Sequence, residues 1–95
     1  MPLGRTPTER YAMRLRSACK LLTKEDPSLA TVGSLNRTKE NDGYDFFIRA
    51  KGELWEYPLA IVRVNDDGYV FVEVIDDDFP EHLLECVVHR AEILR

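Results

Sequence analysis

YPLAIVRVNDDGYVFVEVI, residues 57–75, is the stretch on which the fold turns. Two runs rich in β-branched and aromatic residues, YPLAIVRV and YVFVEVI, flank NDDG at 65–68. Such runs suit a pleated, half-buried surface. An Asp-Gly step between them marks a hairpin, because Gly takes the positive φ that closes a tight turn. Pro58 stands near the start of its run, where a missing N–H does least harm to a ladder. Upstream, YDFFIRA at 44–50 has the same character. Together these runs predict an antiparallel meander of three to four strands.

A helix is expected on each side of the meander. Thr6-Pro7-Thr8-Glu9 supplies an N-cap, a Pro at the first helical position and an acid three residues after the cap. At about 100° per residue, Tyr11, Leu15, Ala18, Cys19 and Leu22 then gather on one face. Arg10 and Arg14 flank that stripe on one side, Arg16 and Lys20 on the other. The helix should end near Lys24, ahead of Asp26-Pro27. At the other end of the chain, VIDDDFPEHLLECVVHR (74–90) combines a strand end with a second helix. Leu83, Leu84, Val87, Val88, Ala91 and Leu94 fall within an arc of about 140° if 80–94 is helical. Asp78 would cap it, with Pro80 at the first helical position. The expected fold class is therefore α+β: a three- to four-stranded antiparallel meander between an N-terminal and a C-terminal helix, in α-β-β-β-α order. Residues 1–95 read as one small domain, with 1–5 flexible. Residues 25–43 admit either a helical turn after Pro27 or an irregular strand near Thr31–Leu35.

A chain of 95 residues buries little more than half of its unfolded surface, which leaves room for one core and one or two surface sites. Apolar residues at 44% and charged residues at 32% are ordinary for a globular protein. No apolar run approaches the roughly 20 residues needed to cross a bilayer. MPLGRTPTER lacks the apolar stretch of a signal peptide, so a cytoplasmic location and no membrane partner are expected. Cys19 and Cys86 are expected as free thiols, Cys19 packed within the apolar stripe. Charge is uneven: residues 1–40 balance to +4 and residues 41–95 to −8, giving the net −4. Opposite ends of this kind can steer different partners.

Residue types able to carry chemistry are few. His82, Cys86 and His89 lie within about 60° of one another on the second helix, opposite its apolar stripe. Imidazole and thiolate suit zinc, so this trio is a candidate metal site, although one helix face rarely completes a tetrahedron. Asp76, Asp77 and Asp78 lack the longer, Gly-containing loop of a calcium site. A Cys–His pair can act as nucleophile and base, but no GxSxG, P-loop or dinucleotide fingerprint accompanies it. The expectation is a protein without catalytic activity and without a cofactor.

The aromatics point elsewhere. Seven of nine, Tyr44, Phe46, Phe47, Trp55, Tyr57, Tyr69 and Phe71, lie in the strand block. Alternation places Val70, Val72 and Val74 on one side of their strand, beneath the helices, and Tyr69 and Phe71 on the other. An aromatic side left partly uncovered is a platform for another protein. The expected protein-binding residues are Trp55, Tyr57, Tyr69 and Phe71, with Asp66, Asp67, Asp76 and Asp77 as an acidic rim that sets on-rate and partner choice. Two apolar faces with only two helices to cover them also allow a homodimer.

The element order is similar to that of the double-stranded RNA-binding fold, and the first helix is basic. That resemblance implies a nucleic-acid-binding alternative using Arg10, Arg14, Arg16 and Lys20. The second helix departs from that family's pattern: PEHLLECVVHRAEIL follows three Asp residues and opens on Glu81, where such domains carry lysines. Helix, curled meander and helix also resemble type III secretion chaperones and small acidic phage- or plasmid-encoded inhibitors. Both imply a protein partner and no chemistry of the chain's own. An adaptor, chaperone or inhibitor is thus the expected class, with nucleic-acid or metal binding as alternatives.

Overall fold

Gly68 turns the chain at the decisive hairpin. In the computed structural model, which describes residues 6–25, 30–38, 43–50, 58–77 and 79–95, its φ is 83°. Its N–H donates to the Asn65 carbonyl at 2.9 Å, and the Asn65 N–H donates to the Tyr69 carbonyl at 2.8 Å. This is a three-residue hairpin loop closed by a left-handed glycine. Any other L residue at 68 would be strained there.

The hairpin joins β4 (Ala60–Val64) to β5 (Val70–Val74). β4 also pairs with β3 (Tyr44–Ala50), and all pairings are antiparallel. The outer edge of β3 carries two short strands, β1 (Ala30–Val32) and β2 (Asn36–Arg37). Between them the Gly33 N–H still donates to the Phe47 carbonyl at 2.9 Å. An irregular strand near Thr31–Leu35 is observed, while the segment directly after Pro27 lies outside the described residues. Five strand segments thus fill four positions of one sheet, in sequential order.

α1 (Pro7–Glu25) and α2 (Glu81–Leu94) lie together on one face of the sheet. α1 starts as its capping box requires: the Glu9 N–H donates to Thr6 Oγ at 3.1 Å. For α2 the cap position is Pro80, whose carbonyl accepts the Leu83 and Leu84 N–H groups at 3.1 Å each. Pro80 is thus one position earlier relative to the helix than its sequence context implies, and Asp78 lies outside the described residues. Phe79, almost fully buried, anchors the entry to α2.

Register explains the core. Across the sheet, Phe46, Val62 and Val72 align, as do Ile48, Ala60 and Val74, and Tyr44, Val64 and Val70. These rows face the helices, which contribute Ala12, Leu15 and Cys19 from α1 and Leu83, Val87 and Ala91 from α2. The amino end of α1 sits beside the carboxyl end of α2, where Tyr11 Oη donates to the Ala91 carbonyl. Two further bonds pin the hairpin to the helices: Thr8 Oγ donates to the Asp66 carbonyl at 3.1 Å and Arg95 to the Gly68 carbonyl at 3.1 Å. No described helix is long and apolar enough to cross a membrane.

The two cysteines differ sharply. Cys19 is buried, and desolvation pushes its thiol pKa from 9.0 up to about 12, whereas Cys86 is exposed. Maleimide should therefore label Cys86 in the native chain and reach Cys19 only on unfolding; labelling of both at one rate would contradict the packing. Since the folded state holds the Cys19 proton more tightly, this residue's contribution is intact below pH 9 and is lost as pH rises towards 12. Phe46→Ala, at the centre of the core, should cost about 3–5 kcal/mol in urea unfolding. A loss below 1 kcal/mol would place that ring elsewhere.

Candidate functional site

With both helices on one face, the opposite face of the sheet is made by the alternate residues. β3 contributes Asp45, Phe47 and Arg49, β4 contributes Ile61 and Arg63, and β5 contributes Phe71 and Glu73. Asp45, Arg63 and Phe71 form one cross-strand row, and Phe47, Ile61 and Glu73 the next. Arg63 approaches Glu73 at 3.8 Å, an exposed pair that adds little to stability. The Arg49 guanidinium lies 5.5 Å from the centroid of the Phe47 ring, while its Nε is buried without a hydrogen-bond partner. Phe71 is 54% exposed at the β5 side. No described helix or strand packs over this face.

The same strand leaves its backbone edge open. The Tyr69 carbonyl and the Ile75 N–H both bond across to the β4 side, the latter to the Leu59 carbonyl at 2.8 Å. Bonded and non-bonded pairs alternate in an antiparallel ladder, so Phe71 and Glu73 also aim their backbone groups at β4. Val70, Val72 and Val74 therefore aim their N–H and C=O groups outward, where β5 has no strand partner among the described residues. The opposite edge is different in kind. There β1 and β2 are short and interrupted, and Arg16 Nε donates to the Gly33 carbonyl in the gap at 2.6 Å. Short, broken strands are a common way of blunting an edge; a continuous apolar strand is not.

The expected protein-binding residues are distributed over this region as follows. Phe71 stands exposed on the face opposite the helices. Tyr69 lies at the hairpin end, where it lines a groove of about 620 Å³ together with Arg10, Tyr11 and Arg14 of α1. Its ring also carries the Arg95 guanidinium at 5.7 Å. Asp66 and Asp67 are exposed at the hairpin tip and line the same groove. Asp77, exposed, and Asp76, half-buried, follow the other end of β5. The acidic rim is thus two clusters separated by the length of one five-residue strand, about 17 Å. Trp55 and Tyr57 lie outside the described residues.

The basic residues do not form one patch. Arg10 and Arg14 share the groove with Asp66 and Asp67, whereas Arg16 serves the β1–β2 gap and Lys20 is exposed farther along α1. His82, Cys86 and His89 are all exposed on α2. Among the described residues, no group of three or more His, Cys, Asp or Glu side chains is placed to hold a metal ion.

Phe47, Ile61 and the outward backbone of Val70, Val72 and Val74 were not singled out from sequence. Strict alternation against Phe46, Val62 and Val72 carries the signal for the first two, once the core side of each strand is known. The open edge follows only from strand order. No protein-family model, curated protein or solved structure gives a significant match to this chain.

Proposed function

We propose that this chain is a non-catalytic protein-interaction module that holds its partner on the sheet face opposite the helices and along β5. One observation carries the proposal. Of seven large apolar side chains exposed among the described residues, four fall at 69–75: Tyr69, Phe71, Val74 and Ile75. Scattered single exposures are normal on a protein surface, whereas several gathered along one edge strand and its ends suit an interaction site. The aromatic pair supplies the residue types that anchor interfaces.

Nucleic-acid binding is less well supported. Phosphate contact needs several cations on one surface with their heads available. Here Arg10, Arg14 and Arg95 share one groove with two carboxylates, Arg95 is bonded to the Gly68 carbonyl, and Arg16 Nε is bonded within the fold.

Affinity capture from source-cell lysate with wild-type and Phe71→Ser baits, each with and without nuclease, tests the proposal. Protein partners that survive nuclease should fall at least about tenfold with Phe71→Ser, which is 1.4 kcal/mol. Stability should change by less than about 0.5 kcal/mol because the ring is exposed. Captured material that vanishes on nuclease treatment, and that Arg10→Ala with Arg14→Ala removes, would overturn the proposal in favour of nucleic acid.

A further inference from the structure

At β5 the molecule is open in two layers at once, the sheet and the helices above it. We infer that this edge is a self-association site. A second copy of the chain pairs its β5 antiparallel to this one, about a two-fold axis at Val72, and sets its α2 beside this α2. The inference rests on the interaction-module reading and deepens it by naming what occupies β5; the face opposite the helices stays free for other partners.

The sheet layer supplies the first half of the argument. Val70, Val72 and Val74 carry the outward N–H and C=O groups, and their side chains face the helices. Only one antiparallel register of β5 against itself engages all of them: Val72 opposite the partner's Val72, and Val70 opposite the partner's Val74. Each of these pairs exchanges main-chain bonds in both directions. Glu73, the only charge in the strand, then faces the partner's Phe71 and not its own twin. The strand holds no Pro, no Lys and no bulge that would resist the pairing.

The helix layer separates a second copy from a foreign strand. In β4, Ala60, Val62 and Val64 are sealed, whereas in β5 Val70 and Val72 are half-buried and Val74 is 40% exposed. α1 packs over β1 and β3 and α2 over β5, so α2 is the outermost described element on the helix side. Arg90 shares a groove with Ala18, Leu21 and Leu22, which marks the flank of α2 that meets α1. At about 100° per residue, Leu84 and Val88 fall on the other flank, towards the β5 edge. Leu84 is half-buried and Val88 is 43% exposed. A foreign strand would satisfy the backbone of β5 but bring no helix to cover these side chains. A second copy brings both layers.

The spacings match. Strands lie about 4.8 Å apart and packed helices about 8–10 Å apart, so one helix covers two strand positions. Continuing the sheet through β5 therefore places the partner's α2 one helix spacing from this one. α2 runs back along β5, from Phe79 bonded to Asp76 to Arg95 bonded to Gly68. Val88 is midway along α2 as Val72 is midway along β5, so the axis brings Val88 against the partner's Val88. Two five-residue strands and one apolar helix contact fall short of the roughly 1,000 Å² of a stable complex, so the association is weak and reversible. In dilute solution the chain is a monomer with the β5 edge free.

Sedimentation of the full chain across a concentration series tests the inference. The chain should pass from monomer to dimer between about 1 μM and about 1 mM, and the Val70, Val72 and Val74 amides should gain protection in step. Val74→Pro removes one outward N–H at a partly exposed edge position, and Val88→Glu sets a charge on the axis. Each should raise the dissociation constant at least about tenfold. Val88→Glu, on the surface of α2, should leave the melting temperature of the dilute chain nearly unchanged. With Cys86→Ser in place, Val88→Cys should cross-link to its partner on mild oxidation in concentrated solution. A chain monomeric at every concentration overturns the inference, and so does a dimer indifferent to either Val74→Pro or Val88→Glu. These outcomes are independent of the Phe71→Ser capture. Partners lost with Phe71→Ser from a chain that never dimerises would leave the module without self-association; a dimer from which Phe71→Ser releases no partner would overturn the module reading alone.

Discussion

One-sided burial governs this molecule. The rows centred on Phe46, Val62 and Ile48 are sealed under α1 and α2, and that single core must hold four strand positions in register. Slipping β4 by one residue would turn Ala60, Val62 and Val64 outward and bring Ile61 and Arg63 beneath the helices. A guanidinium there would lack both water and a partner. The core thus fixes the pairing of β3, β4 and β5, and the pairing in turn fixes which residues are left on the opposite face. Everything offered as a contact surface is a consequence of that constraint.

Three bonds at the helix ends complete the arrangement. Tyr11 ties α1 to α2, while Thr8 and Arg95 tie both helices to the loop that begins β5. β5 is consequently held at its hairpin end by side chains and along one edge by β4, with no strand on its other edge among the described residues. A strand so positioned costs a partner little ordering entropy on its side of the interface. The groove at the hairpin, where Arg10 and Arg14 meet Asp66, Asp67 and Tyr69, mixes both charges.

Much of the fold was legible because local signals agreed with the tertiary result. The NDDG turn, the capping box at Thr6–Glu9 and the apolar arc of α2 each depend on neighbours a few residues away. The helix cap at Pro80 and the interruption between β1 and β2 were not legible, since packing of Phe79 and the Arg16–Gly33 bond settle them over longer range. Among the residues expected to bind a partner, Phe71 was placed away from the helices by alternation, as its register shows. The separation of the acids to opposite ends of β5 was not legible, and neither was the placing of Tyr69 in a groove with α1. Both depend on where a strand lies in the sheet, and composition and periodicity are silent about strand order.

Amide hydrogen exchange on the unliganded chain tests the central claim most directly. One-sided burial with an open β5 edge requires alternating protection along that strand. Phe71 and Glu73, bonded to β4, should exchange slowly, and Val70, Val72 and Val74 rapidly, while Phe46 and Val62 should be the slowest of all. Uniformly strong protection from 70 to 74 would mean that something already covers the edge, and would contradict it.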